Sequence, residues 1–286
     1  MSSSLLQRPL DALGRYHAPH ANPRIASLVP SITETLFSFG LGRHVVARTG
    51  FCIHPEPAIR DVPKVGGTKD VNLAKLIATE PTHVIVNIDE NERPMVEKIA
   101  RSIPNVIVTH PIVPEDNIAL FQLLGHVFAR PREADALSQS LLAALRDARS
   151  VGQSAPIESV LYLIWKNPWM TVSRDTYISA MLATVGWRTE PVQTERRYPE
   201  IHENDPIWGS VDRVLLSTEP FSFDDEHAQL LSKAHHLRTP AQLIDGEMTS
   251  WYGTRAIQGL RYLMALRSNA PQLSRPALAL NEPRGH

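Results

Sequence analysis

Short apolar runs alternate with amphipathic stretches from Ile25 onward, and the joints between them carry proline, glycine or small polar residues. Ile25 to Val29 reads as a buried strand. Ser31 and Glu34 have the spacing of a capping box, which predicts a helix running through Phe37 to Phe39 and stopped by Gly40. Val45 to Ala47 is a second strand. Pro55, Pro57, Pro63, Gly66 and Gly67 then mark a turn-rich connection to a short helix from Asn72 to Ala78. His83 to Val86 and Val106 to Val108 are two further strands, with a helix from Pro94 to Ser102 between them. Strands that alternate with helices predict a parallel sheet covered by helices.

From Glu115 to Arg149 the pattern is helical, with Pro131 as the break between two long segments. Leu137, Leu141, Leu142 and Leu145 supply the apolar face of the second segment, while Arg132, Asp135, Gln139 and Arg146 lie elsewhere on it. The strand and helix alternation then starts again. Val160 to Ile164, Val214 to Leu216 and Ala241 to Ile244 are expected strands, and Ile178 to Val185 and Thr254 to Arg267 expected helices. The fold class is therefore α/β: two lobes, each a small mostly parallel sheet flanked by helices, bridged by one long helix. The expected boundaries are a polar tail at 1–23, an N-terminal lobe at 24–130, the bridging helix at 131–150, a C-terminal lobe at 151–270 and a C-terminal tail at 271–286. The halves show no sequence repeat.

Length agrees with this division, since 286 residues exceed the usual size of a single hydrophobic core. A formal net charge of -1 removes the electrostatic case for nucleic acid or an anionic membrane as partner. No stretch approaches the roughly 18 apolar residues of a membrane span. Cys52 is the single cysteine, so neither an internal disulfide nor a cysteine-built zinc site can form within the chain. Met1 to Asn22 lacks the apolar run of about 7 to 15 residues that a secretory signal needs, and a cytoplasmic protein is expected on that ground.

Ligands of open α/β sheets collect at the carboxyl ends of strands, so the segments that follow strands are the ones to weigh. Pro30-Ser31-Ile32-Thr33-Glu34 is either a plain helix cap or a cap that also faces ligand. In Gly50-Phe51-Cys52-Ile53-His54-Pro55, Cys52 and His54 are of a type that binds soft metals, but two residues do not make a site. The glycines of Val65-Gly66-Gly67-Thr68 make a turn or let backbone approach a ligand. Asn87-Ile88-Asp89-Glu90-Asn91-Glu92 is too polar for core and reads as a solvated loop or a cleft wall. Trp165-Lys166-Asn167-Pro168-Trp169-Met170 and Ser250-Trp251-Tyr252-Gly253 place aromatic rings on loops after strands, where a ligand can meet them. Enzyme signatures are missing: there is no P-loop, nucleophile elbow or His-Glu-x-x-His, and Gly40-Leu41-Gly42 lacks the third glycine of a dinucleotide fingerprint. His202-Glu203 and His235-His236 read as surface polar residues. No catalytic residue, metal ligand or cofactor is expected.

Arg24-Ile25-Ala26-Ser27-Leu28-Val29-Pro30-Ser31-Ile32-Thr33-Glu34, with Val65-Gly66-Gly67-Thr68 and Asn72-Leu73 after it, resembles the first lobe of the helical-backbone (class III) periplasmic binding proteins, and within them the cobalamin-binding branch of ABC importer receptors. The resemblance covers about Arg24 to Leu266. It implies a rigid helix between two lobes, a shallow cleft and a non-enzymatic receptor for cobalamin or a related corrinoid. Matched residue by residue, it implies a cleft built from Pro30, Ser31, Phe51, Gly67 and Asn87, faced by Trp165, Trp169, Trp251 and Tyr252. A corrin is a broad, largely apolar disc fringed with amides, which flat aromatic walls and a few neutral donors suit.

The same resemblance implies an ABC permease as a second partner, although Ala74 stands where the family carries a docking glutamate. A ferric siderophore or haem is the alternative ligand. Such an anion would draw on Arg48, Lys69, Arg93, Lys166, Arg174 and Arg255, which lie near the candidate loops. A cytosolic enzyme or cofactor-handling protein on this scaffold is the alternative of a different class.

Overall fold

The computed structural model describes residues 8–192 and 195–270; the expected tail at 271–286 lies outside them. The first half runs β1 (Ile25–Ser27), α1 (Pro30–Ser38), β2 (Val45–Arg48), α2 (Leu73–Ala78), β3 (His83–Asn87), α3 (Arg93–Ser102), β4 (Asn105–Thr109), α4 (Asp116–Val127) and α5 (Pro131–Ser154). Its sheet is wholly parallel, in the order β2-β1-β3-β4. Such a sheet is covered on both faces, and successive side chains serve opposite cores. Val84 and Val86 of β3 pack with Ile99 of α3, while Ile85 belongs to the core that α4 and α5 share.

The expected capping box does not form. Pro30, with its fixed φ, opens α1 directly, Val29 occupies the cap position and makes no side-chain cap bond. Ser31 is thereby already inside the helix, and Glu34 is free for a partner across the molecule, described below. The polar stretch before β1 is also part of the fold. Ala12 donates its backbone N–H to Val108, and the buried Asp11 carboxylate accepts from the Val108 N–H and from His17. This strap lies along β4, the outermost strand of its sheet, and covers an edge that would otherwise be open.

The second half contains β5 (Glu158–Trp165), β6 (Trp169–Thr171), α6 (Tyr177–Ala183), β7 (Trp187–Thr189), β8 (Glu200–Ile201), α7 (Ile207–Ser210), β9 (Arg213–Ser217), α8 (Asp225–Ala234), β10 (Gln242–Ile244), α9 (Gly246–Ser250) and α10 (Arg255–Asn269). Its sheet has the order β10-β9-β5-β6-β8, with β7 also on β5; β10, β9, β5 and β7 are parallel, and β6 runs antiparallel to both of its neighbours, β5 and β8. The short strands β6, β7 and β8 were not expected from the pattern, because segments of two or three residues carry too little periodicity to be seen.

Helix α5 continues past the expected residue 150 to Ser154. It packs between α4 from the first half and α10 from the second. Its buried face is Ala134, Ser138, Leu141, Leu145 and Ala148, at spacings of three and four; Leu142, one position off that stripe, is exposed. The core beneath it is continuous, joining Leu36 and Phe121 to Leu141, Tyr162, Leu215 and Leu260. A shared core resists a hinge motion that would split it.

At the far end of the second sheet, Glu158 is buried among Arg213, Arg267 and Trp187, accepting from Arg213 Nε at 2.5 Å and from Trp187 Nε1 at 2.9 Å, with Arg267 Nη1 also at 2.5 Å. Burial alone would raise this carboxyl; the hydrogen bonds from Arg213, Arg267 and Trp187 outweigh it and hold the pKa at about 2. Because the folded value lies below the ordinary 4.5, the pair's contribution to stability is full above 4.5 and is lost as pH falls toward 2. Glu158→Gln leaves two guanidinium groups facing a neutral amide, and is expected to lower unfolding free energy in urea by about 3 to 5 kcal/mol at neutral pH. The deficit should shrink when the titration is repeated at acid pH.

Candidate functional site

Between the sheets, loops from the carboxyl ends of both sets of strands face one another. They enclose two adjoining hollows of about 830 Å³ and 210 Å³, which share Pro30, Glu90, Ile178, Tyr198, Ser250 and Trp251. The first lobe contributes the start of α1, the loop after β2 with Phe51, and the loop after β3. The second contributes Trp165 at the end of β5, the loop after β9 with Glu219, and Ser250 to Tyr252 before α10.

Of the residues singled out in the sequence, Pro30, Phe51, Trp165 and Trp251 line the larger hollow, and Pro30, Ser31, Asn87, Trp251 and Tyr252 the smaller. Phe51 is 62% exposed and Trp165 40%, so both rings offer uncovered apolar surface to the space between the lobes. Gly67 is not in the lining. It supports the wall from behind: a Cβ there would lie 2.1 Å from Asp70 Oδ1 and 3.4 Å from the Phe51 ring.

Trp169 is displaced from the expected wall altogether. Its ring is buried in the second lobe's outer core, stacked on Phe223 at 6.1 Å and edge-on to Trp208 at 5.7 Å, with Nε1 donating to Glu203. Alternation along a strand is the reason: Trp169 and Met170 of β6 face opposite ways, and Met170 takes the cleft.

The back of the cleft is riveted. Arg255, at the first turn of α10, donates to both oxygens of Glu34 on α1 at 2.8 Å each, and its Nη1 donates to Glu247 on α9 at 2.9 Å. Glu247 is met in turn by His54 Nε2 at 3.0 Å, so a carboxylate, a guanidinium, a second carboxylate and an imidazole alternate across the lobes. The Arg255 guanidinium also sits 5.0 Å over the Trp251 ring, which fixes that ring in the cleft wall. Gly253, at φ +71°, brings its backbone against Thr35, where a Cβ would lie 2.0 Å from Oγ1. Its N–H donates to Asn117 of α4, which itself donates to Tyr177 of α6. Local pattern carries no signal for this rivet, because Glu34 and Arg255 stand 221 positions apart.

Polar ties among the described residues cross the cleft itself. Tyr252 donates its hydroxyl to Glu90 at 2.6 Å, and Arg197 meets Asp89 at 2.5 Å. Cys52 and His54 do not meet: Cys52 is buried beneath α1 against Thr33 and Thr49, where burial pushes its thiol up, while His54 faces Glu247.

The basic residues that an anionic ligand would need are mostly committed elsewhere. Arg48 is buried on backbone carbonyls of Val62 and Cys52, Arg93 pairs with Glu97, Arg174 with Glu190, and Lys166 lies over the Trp169 ring. Lys69 does line the larger hollow, and Arg197, not foreseen, lines the smaller with Asp89 on it. Ala74 is exposed in the first turn of α2.

Arg255→Met keeps the length of the side chain and removes the rivet. Denaturation should show a loss of about 3 kcal/mol or more, since Glu34 and Glu247 would be left without their cation. Trp169→Ala should cost a further-separated 3 to 5 kcal/mol, about the usual loss for a buried aromatic, through the outer core of the second lobe.

Residues 25–207, more than half of the chain, match the protein family described as periplasmic binding protein. A curated relative, the vitamin B12-binding protein of Vibrio cholerae, is 24% identical over 229 residues, 80% of this chain and 76% of its own. The solved structure of the periplasmic vitamin B12 binding protein of Vibrio cholerae superposes with a TM-score of 0.76 at 16% identity, covering 88% of this chain and 100% of that one. A periplasmic heme binding protein from Pseudomonas aeruginosa gives 0.72 at 20% identity, covering 88% and 95%. At these identities the structural likeness is one of fold. The cytoplasmic location expected from Met1 to Asn22 is overturned by these matches, which point to the periplasm. The composition of a short starting stretch was weaker evidence than a match over most of the fold.

Proposed function

The chain belongs to the periplasmic binding protein family, and we propose that it binds cobalamin or a related corrinoid in the cleft between its lobes without transforming it. The observation that carries the reading is the make-up of the cleft wall: exposed Phe51 and Trp165, with Trp251 held between them and the rivet, around a hollow of about 830 Å³. Such a wall suits a flat apolar face, and its remaining donors and acceptors, Ser31, Asn87, Thr218, Ser222 and Ser250, suit the amides of a corrin's fringe. The names of the curated relatives support the same ligand.

Haem is the alternative that the fold alone would allow. It carries carboxylates, and the charged groups that line the cleft are Lys69 and Arg197 against Asp89, Glu90 and Glu219, with Arg197 already held by Asp89. Tyr198 offers a phenol at the rim, but burial pushes it up, and Asp89 and Glu90 add to that against the pull of Arg197. The balance of charge favours an uncharged disc.

Calorimetric and spectral titration of the isolated protein with cyanocobalamin and with haemin, side by side, tests this. Saturable binding of cyanocobalamin, recovered unchanged, is expected. Trp251→Ala should weaken it by about 2 kcal/mol, roughly thirtyfold in Kd. Haemin binding with no response to cyanocobalamin would overturn the proposal.

A further inference from the structure

Among the described residues, Glu90 is the charged side chain that lines both hollows of the cleft. It stands on the loop after β3, and its Oε1 accepts from the Tyr252 hydroxyl across the lobes. Its surroundings are short of free cations. Asp89 beside it is engaged by Arg197 and lies 3.4 Å from His110 Nε2. Glu219 faces it from the loop after β9, Tyr198 from the segment before β8, and the Cys52 thiol from the loop after β2. Lys69 lines the larger hollow only.

Burial is the chief reason that the Glu90 carboxyl is pushed up to about 7; Tyr252 pulls it down, and Asp89 and Glu219 push it further up. A disc lying over both hollows would strip away the water that still reaches this carboxyl. Removing solvent disfavours the charged form; of the two cations among the described lining residues, Arg197 is held by Asp89 and Lys69 lines the larger hollow alone. The neutral acid also brings an O–H donor, which the ionised form lacks, to a wall that an amide carbonyl would meet.

We propose that Glu90 is a ligand-facing residue that takes up a proton as the cleft fills, so that uncharged, amide-bearing ligands are held more tightly as pH falls. This rests on the corrinoid reading and adds the proton to it. The sign follows from linkage: an acid whose pKa rises on binding strengthens binding below neutrality, and affinity falls by up to about tenfold per pH unit above the free-state midpoint.

Cyanocobalamin binding measured by calorimetry in two buffers of different ionisation enthalpy reads the protons taken up, and titrations from about pH 6 to 9 read the affinity. The expected result is net proton uptake near neutrality and a Kd that rises with pH, both abolished in Glu90→Gln. Tyr252→Phe removes the bond that pulls Glu90 down, so it should move the midpoint to higher pH; it serves as well if Glu90→Gln does not fold. Binding that is independent of pH, or proton uptake that survives in Glu90→Gln, would overturn the proposal and leave the corrinoid reading intact. No cyanocobalamin binding at any pH would instead defeat the corrinoid reading. The ligand-free protein then decides separately, through the carboxyl-carbon NMR signal that disappears in Glu90→Gln. A midpoint near neutrality supports the proton-accepting carboxyl, and a midpoint in the ordinary carboxylate range overturns it.

Discussion

The bidentate pair between Arg255 and Glu34 sets the relation of the two lobes, and the cleft exists because of it. A guanidinium shielded from water is costly unless its donors are met, and here Glu34 and Glu247 meet them from opposite lobes. Separating the lobes would strand Glu34 and leave the guanidinium with Glu247 alone. The same guanidinium lies over Trp251, so the group that fixes the lobes also fixes the aromatic wall. Helix α5 and the continuous core beneath it reinforce this from behind. The outcome is a cleft formed before any ligand arrives, which spares binding the entropy of assembling it.

Function then depends on what this fixed frame presents. Apolar rings stand exposed toward the space between the lobes, while most of the nearby arginines are spent on backbone carbonyls or on carboxylates outside it. The cleft is thus left with little net charge to offer an anion, and with a carboxyl, Glu90, that gains by becoming neutral. The exposed rings suit a flat ligand face, and the scarcity of free cations together with the protonatable floor favours a neutral ligand over an anionic one.

The legible part of the fold was the part determined by local pattern. Strands β3, β4 and β9 are buried on both faces and so appear as apolar runs, and Pro131 marks the start of α5 whatever surrounds it. Loops after strands were identifiable as cleft candidates from Pro30, Phe51, Asn87, Trp165, Trp251 and Tyr252, because strand ends are where sheets present ligands. What escaped depends on distant partners. Nothing local distinguishes Trp165, which reaches the cleft, from Trp169, whose place is decided by Trp208 and Phe223. Glu34 read as half of a capping box because its guanidinium partner lies at the other end of the chain. Glu90 was visible as one polar residue in a polar loop, but the surroundings that push its carboxyl up belong to the assembled cleft.

A crystal structure of the protein soaked or grown with cyanocobalamin tests the central claim most directly, that a rigidly preformed inter-lobe cleft is the ligand site. The corrin should lie against Phe51, Trp165 and Trp251, with the Arg255–Glu34 pair still closed and the lobes unmoved. A corrin bound elsewhere on the surface, or a complex in which that pair has opened to admit it, would contradict the account.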